Sequence, residues 1–426
     1  MSTDVQGRAL SVLNRVAQAD WPDRFKLRKP FERLLYTGSR AGFRMAAKPA
    51  KSAKAPRPAD PDGLFDLSLS DEQQMLVEML GAFASEVLRP AAEAADAQGC
   101  VSAELINQAL ELGLAHYGVS EALGGMAGER TVVTNALIAE ALGRGDLSLA
   151  ASLLVPLSVA NCIRRWASPE QQARWLPAFV GTARPPAMAI AVSEPGLLVD
   201  PLRLATRAKR KGPHYQLDGE KCLVLEGLNA SAILVAARTA DGPALFRVDV
   251  GAKGLNLRPE PAMGLKACAT ARLSLKGVRV PVEDRLAGSA FDLERFLAYT
   301  TLAWCALAVG TAQAALDYVV TYCNERVAFG EPISHRQGVA FMVADIGIEL
   351  DAMRLMVWRA CARAERGEDF RREAYLARLL CAEKAMKIGT DAVQLLGGHG
   401  FTKEHPAERW YRDLRAVALM AGGLHL

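Results

Sequence analysis

Histidine and cysteine are scarce in this 426-residue chain, at six and eight copies. The cysteines, at positions 100, 162, 222, 268, 305, 323, 361 and 381, form no CxxC pair, and no histidine stands at metal-ligand spacing from them. That pattern excludes a zinc or iron–sulfur framework, so no metal is expected, and the thiols read as reduced core residues of a cytoplasmic protein. No GxSxG, HExxH or GxxxxGK(S/T) string occurs, which removes the common hydrolase, metalloprotease and P-loop readings. Long hydrophobic runs are missing too. The one apolar stretch near 18 residues without a charge, around Thr300 to Leu316, is Ala-rich and reads as a buried core helix. What remains is ordinary globular material, 50% hydrophobic and 23% charged, which argues against disorder, a fibre or a coiled coil. At about 150 residues per domain the length implies two or three domains.

Charge is divided unevenly. Residues 1–57 hold thirteen Lys/Arg against four Asp/Glu, a net +9, while the rest of the chain is −5. Within this basic extension Trp21, Phe25, Phe31, Leu34, Leu35, Tyr36 and Phe43 are interleaved with the bases, and an Ala/Pro/Lys linker follows from Met45 to Arg57. Such a segment suits peripheral contact with an anionic membrane surface or a partner's acidic face, and equally a solvated tail or a helix packed on its own body. Asp4, Asp20, Asp23 and Glu32 interrupt the acid-poor stretch that a transit peptide requires. No nucleic-acid partner is expected.

Three blocks follow. Residues 66–185 open with Ser70 as an N-cap before Met75, Val77, Met79, Leu80 and Phe83 at helical spacing, and further periodic segments cover 102–115, 130–144, 147–166 and 168–180. From 186 to 287 short Val/Leu/Ile-rich runs (187–192, 215–217, 232–237, 244–250 and 271–275) are separated by Gly, Pro, Asp and Asn, the mark of an all-β insert. Residues 288–426 return to long helices, predicted over 292–326, 334–366, 371–397 and 406–421. The fold class is α+β: an N-terminal helical domain, a middle β-barrel-like domain and a C-terminal four-helix bundle.

Chemistry is faint when residues are taken singly. Gln394-Leu-Leu-Gly-Gly-His-Gly-Phe401 would let backbone approach an anion, although a Gly cluster at a helix end is more often a cap. Arg326, in Asn324-Glu-Arg-Val-Ala-Phe-Gly330, could hold a pyrophosphate through both guanidinium edges or pair with a helix carboxylate. His399 could act as a base or lie on the surface as a hydrogen-bonding residue.

Together these strings carry a resemblance. Tyr322-Cys-Asn-Glu-Arg-Val-Ala-Phe-Gly-Glu-Pro-Ile333, Gln337, and the pattern from Gln394 through Gly397, Gly398, Gly400, Phe401, Glu404 and Arg409 to Asp413 resemble the acyl-CoA dehydrogenase family. Upstream, Gln172 with Leu176-Pro177, Ala191-Val-Ser-Glu-Pro195 and Gly219-Glu-Lys221 agree with it, so the resemblance covers residues from about Phe65 to Leu426. It implies FAD bound at a subunit interface, a fatty acyl-CoA substrate oxidised between its α and β carbons, a glutamate as general base, and an electron-transfer flavoprotein or oxygen as acceptor. It also implies that the dinucleotide half of FAD, contacted from a neighbouring subunit of a homo- or hetero-oligomer, meets Arg326, Phe329, Gln337, Gln394, Gly397 and Gly398.

The flavin-ring half departs from the pattern. Ser193 keeps the hydroxyl that faces the ring, but the Gly-Ser-Asp after it reads Leu198-Val199-Asp200, and the Trp and Thr along the ring become Leu223 and Leu225. The catalytic glutamate falls on Ala421, followed by Gly422 and Gly423. The other position used by the family for its base falls near Thr300. The backbone N–H of residue 421, which helps hold the thioester carbonyl in the family, survives the change. Three readings follow: an active dehydrogenase with a relocated base, for which Glu226 is the candidate; an impaired subunit that completes the FAD site of an intact one; and a non-catalytic binder of acyl-CoA or a lipid surface.

Overall fold

The structure is a computed structural model, and it describes residues 68–426 except 129–130, 182–183, 197–198 and 287–290. The basic extension 1–57, with its expected membrane contact, lies outside the described residues, as does Leu198.

The first helix, α1 (Asp71–Phe83), begins at Ser70, whose hydroxyl accepts from the Gln73 N–H while the Gln73 side chain accepts from the Ser70 N–H. This reciprocal cap satisfies two donors that the first turn leaves open. A π-turn at Ala84–Leu88 leads into α2 (Arg89–Gln98), ended by Gly99 at φ 73°. Then come α3 (Ala103–Glu111), α4 (Thr131–Gly143), α5 (Leu147–Leu153), α6 (Val155–Trp166) and α7 (Pro169–Trp175). The single helix expected over 147–166 is two, bent by 46°. Pro156 causes the break, since it lacks the N–H needed to continue the ladder.

Nine strands are described. Seven form one sheet: β1 (Met188–Ala191), β2 (Arg207–Lys211), β3 (His214–Val224), β4 (Ala232–Thr239), β5 (Gly242–Asp249), β6 (Leu255–Pro259) and β7 (Ala271–Pro281), in the order β1-β4-β2-β3-β7-β6 with β5 on β4. One face buries its own core of Leu217, Val235, Phe246 and Leu273. The other face contributes Ile190, Leu225, Leu234 and Leu245 to the core shared with the helices.

The chain then enters α8 (Leu293–Glu325), a 33-residue helix, followed by the short hairpin β8–β9 (Val327–Ala328, Glu331–Pro332), α9 (Gln337–Glu365), α10 (Arg371–Leu395) and α11 (Ala407–Leu414). By length and composition α8 could cross a membrane, but most of its apolar window is buried in the protein. It lies close against α4 because both helices present glycine: a Cβ on Gly310 would sit 2.0 Å from the Glu140 carbonyl oxygen, and one on Gly143 would sit 2.6 Å from that of Leu307. The last helix stops at Leu414 rather than near 421. A 3-10 turn covers Arg415–Ala418, and residues 419–426 have no regular structure.

Candidate active site

The site is built on the chain leaving β1. Glu194, two residues beyond its neighbour Val192, turns inward and accepts from the N–H groups of Ala205 and Thr206 at 2.6 and 2.8 Å. It also accepts from Lys221 Nζ at 2.8 Å, and the same ammonium donates to the Val192 carbonyl at 2.9 Å. Burial pushes the Lys221 ammonium down to about 8 against the pull of Glu194. Burial acts on Glu194 in the opposite sense, yet Lys221 and the two backbone donors hold its carboxyl below the usual range. The pair is therefore ionised at neutral pH and locks the loop to β3. Gly219 is required there: at φ 152°, a Cβ would lie 2.5 Å from Thr206 Oγ1.

This lock fixes Ser193. Its carbonyl accepts from the Cys222 N–H at 3.0 Å, and its hydroxyl donates to the Ala421 carbonyl at 2.8 Å. The structure thus brings the serine expected to face the flavin and the expected base position together across 228 residues of sequence. Leu223 lies on a bulge of β3 at φ 52°, its N–H donating to Glu260 at 2.6 Å, and Leu225 is fully buried. Thr300, also buried, donates its hydroxyl to the Phe296 carbonyl at 3.2 Å and so offers no base.

Glu226 occupies a different place. It sits in a turn at φ 54°, its N–H donating to the Cys268 carbonyl at 2.8 Å. One carboxylate oxygen accepts from the Ser152 hydroxyl on α5, the other from Asn229 Nδ2 at 2.7 Å. Neither partner belongs to the Ser193–Ala421 cluster, and the carboxylate works as a clip between α5 and the sheet.

Sequence reading missed the residues that finish the site. Gly422 and Gly423 run against the middle domain so closely that a Cβ on either would lie about 3 Å from Val192 or Leu225. Trp304 Nε1 donates to the Gly422 carbonyl at 2.9 Å, and Leu424, His425 and Leu426 are each 3% exposed or less. Trp166 Nε1 donates to His425 Nε2 at 3.1 Å, Asn161 to the His425 carbonyl at 3.3 Å, and Arg165 Nε to the Leu426 oxygen at 3.2 Å. Burial, with Arg165 and Arg164 nearby, drives the imidazole well below its usual range, so it is neutral. The weak signal was a lone His between two leucines after paired glycines.

The second cluster is at the far end of α8. Thr300 and Arg326 are separated by about 40 Å along the helix at 1.5 Å per residue. Arg326 caps α8 and is exposed, and Phe329, at φ 56°, is 95% exposed. A concave site of about 600 Å³ lies here, lined by Ala328, Phe329, Ile333, Arg336 and Val339. Gln337 opens α9, while Gln394, Gly397 and Gly398 end α10, and Tyr322 Oη donates to the Leu396 carbonyl at 3.5 Å, joining the two loops. All six expected dinucleotide residues are exposed, and among the described residues no carboxylate pairs with Arg326.

Arg409 and Asp413 of the same sequence pattern are structural. Arg409 Nε donates to Asp146 at 3.0 Å, and Asp413 accepts from the Leu265 N–H at 2.7 Å, so α11 clips both other domains. His399 pairs with Glu404 at 3.2 Å and His405 meets the Tyr318 hydroxyl. Ligand atoms of His399, Glu404 and His405 lie within 4.8 Å of one another, a grouping that residue spacing did not show.

Comparison with known proteins agrees with this architecture block by block. Residues 70–182, 189–278 and 287–424 match the N-terminal, middle and C-terminal domains of acyl-CoA dehydrogenase. The chain belongs to the acyl-CoA dehydrogenase family. It is 34% identical to cyclohex-1-ene-1-carbonyl-CoA dehydrogenase of Geobacter metallireducens, over 83% of this chain and 95% of that one. It is 33% identical to the mitochondrial short-chain specific acyl-CoA dehydrogenase of Bos taurus, over 84% and 88%. The structure of butyryl-CoA dehydrogenase from Megasphaera elsdenii superposes with a TM-score of 0.76 at 28% identity, covering 84% of this chain and 96% of that one.

FAD is the cofactor of this acyl-CoA dehydrogenase. The dinucleotide cluster fits it: nothing lies within 4 Å of a Cβ placed on Gly397 or Gly398, so a phosphate can reach their backbone, and Arg326 is free to meet it. The ring cluster in this conformation does not. Gly422 and Gly423 fill the space beside Val192 and Leu225, and the Ser193 hydroxyl is spent on Ala421.

Proposed function

We propose that this acyl-CoA dehydrogenase oxidises a short-chain or cyclic acyl-CoA thioester to its α,β-unsaturated product, in an oligomer whose copies share each FAD between subunits. The carrying observation is the Ala421 N–H: among the described residues it makes no hydrogen bond, and it stands beside Ser193 where the thioester carbonyl is bound in the family. A free donor aimed at a carbonyl that gains negative charge during α-proton loss favours the transition state over the ground state. FAD, when bound, supplies the two-electron acceptor. Residue 421 itself supplies no base, so the α-proton leaves slowly unless the substrate makes it acidic. Arg326 stands at the far end of α8 from Trp304, which bonds Gly422 beside Ala421, and this supports the shared arrangement. An electron-transfer flavoprotein or oxygen completes the cycle, in a cytoplasmic protein that residues 1–57 bring to a membrane surface.

A second reading has its own observation. The exposed dinucleotide cluster is intact while the ring cluster is filled by residues 422–423, as in a subunit that completes the FAD site of a different, catalytically complete subunit. The absorbance spectrum of the chain purified alone, followed by anaerobic addition of butyryl-CoA and of cyclohexane-1-carbonyl-CoA, separates the two. Bleaching of a bound flavin band supports the dehydrogenase. Protein without flavin, or flavin that never bleaches, supports the partner subunit.

A further inference from the structure

The backbone around Ala421 belongs to no helix or strand, so its polar groups need partners from elsewhere. Three consecutive carbonyls find them on three different elements. The Met420 carbonyl accepts from Arg378 Nη1 of α10 at 3.0 Å, the Ala421 carbonyl from the Ser193 hydroxyl at 2.8 Å, and the Gly422 carbonyl from Trp304 Nε1 of α8 at 2.9 Å. Arg378 spans further, donating Nη2 to the Ala418 carbonyl at 3.1 Å. The side chain is half-buried, and among the described residues it has no carboxylate partner. Its charge is directed at backbone oxygens alone. In the middle of this clamp the Ala421 N–H is left unspent.

The Met420 carbonyl and the Ala421 N–H are the two ends of one peptide unit. That unit is planar and trans, so the two groups point in opposite directions, and whatever holds the carbonyl also aims the N–H. Ser193 and Trp304 grip the two units that follow, while Arg378 grips this one. We propose that Arg378 is a positioning residue for acyl-CoA oxidation, which aims the Ala421 N–H at the thioester carbonyl and strengthens it as a donor. The inference rests on the dehydrogenase reading above. A guanidinium bound to the Met420 oxygen draws electron density onto that atom, and a peptide polarised at its carbonyl donates more strongly through its N–H. Guanidinium, peptide and thioester then form one row of aligned dipoles, its positive side toward the charge that grows on the thioester oxygen as the α-proton leaves. The planar fork takes two carbonyls at once, which fixes the orientation of the peptide as well as its polarity.

The test compares the full-length protein with Arg378→Met and Arg378→Lys. Isotope-edited infrared spectroscopy of bound crotonyl-CoA, labelled at its carbonyl, reads the hydrogen bond to the thioester whether or not the flavin reacts. The carbonyl stretch is expected at lower frequency on the unaltered protein than in water, to return toward the solution value in the Met variant, and to fall again in the Lys variant, which restores a cation. Single-turnover bleaching by butyryl-CoA is expected to slow about 10²-fold in the Met variant, the lower range for losing one oxyanion donor. Affinity for butyryl-CoA should hold nearly constant, since the interaction strengthens only in the transition state. A Met variant whose bound carbonyl stays as low as on the unaltered protein overturns the proposal. So does a Met variant that loses thermal stability and binding together while Lys recovers neither, because Arg378 would then be a structural prop. A lowered frequency that depends on Arg378, in a protein whose flavin never bleaches, sinks the dehydrogenase reading and leaves the positioning role standing. No binding of crotonyl-CoA to the unaltered protein removes both.

Discussion

Acidification should loosen the buried segment Gly422–Leu426, and the size of the effect follows from the surroundings of His425. The docked imidazole is faced by Arg165 and Arg164 of α6 and by Tyr299 of α8; burial comes first in lowering its proton affinity, then the two guanidinium groups, and none of the charges acting on it is negative. Undocked, the same ring titrates near its ordinary value of 6.5. A group whose affinity for a proton is lowered by docking favours the docked state fully above that ordinary value and loses the advantage as pH falls below it. Each unit below it costs about 1.4 kcal/mol. From pH 7.5 to 5.5 the undocked population should therefore rise about tenfold. Hydrogen exchange of the 419–426 peptide, divided by the intrinsic rate at each pH, reads this directly, with His425→Phe as the reference that should stay flat. Equal pH slopes in the two proteins, or stronger protection at pH 5.5, would refute the reasoning.

Three substitutions probe the rest of the site. Lys221→Met leaves the Glu194 carboxylate buried without its cation and should cost about 3 kcal/mol or more in urea unfolding, with part regained when Glu194→Gln is added; a loss below half of that in the single variant would mean that the backbone donors alone satisfy Glu194. Glu226→Gln should leave any acyl-CoA turnover within about twofold while weakening the α5 clip by about 1 kcal/mol, because the carboxylate serves Ser152 and Asn229. A collapse of turnover with unchanged stability would instead make Glu226 the relocated base. Ala421→Glu should raise turnover by about 10² to 10⁴, the usual worth of a positioned base, measured as flavin bleaching in single-turnover experiments. Unchanged rates in that variant would place the deficit in the ring cluster rather than at residue 421.

The helices were legible from sequence because their signals are local. Ser70 with Gln73, and the apolar spacing that follows, specify a helix through contacts three or four residues away, and α8, α9 and α10 end within a few residues of their expected limits. Five of the seven strands in the main sheet announced themselves as Val/Leu/Ile runs. The strands β2, Arg-Ala-Lys-Arg-Lys, and β6 did not, since both are largely exposed and have little apolar surface to reveal. The residues expected to meet the dinucleotide, Arg326, Phe329, Gln337, Gln394, Gly397 and Gly398, came from two short strings, 326–337 and 394–398. Tertiary structure decided the rest. That Arg409 and Asp413 are clips, that Glu226 is tied to Ser152, and that Ser193 meets Ala421 are all facts about groups more than 70 residues apart. His425 is the extreme case: its cage comes from α6 and α8, more than 120 residues upstream. Local patterns determine which segments form helices and strands, because the interactions involved span one turn or one pleat. Which side chains then share a cavity depends on how those elements close over one another, and no short-range pattern encodes that.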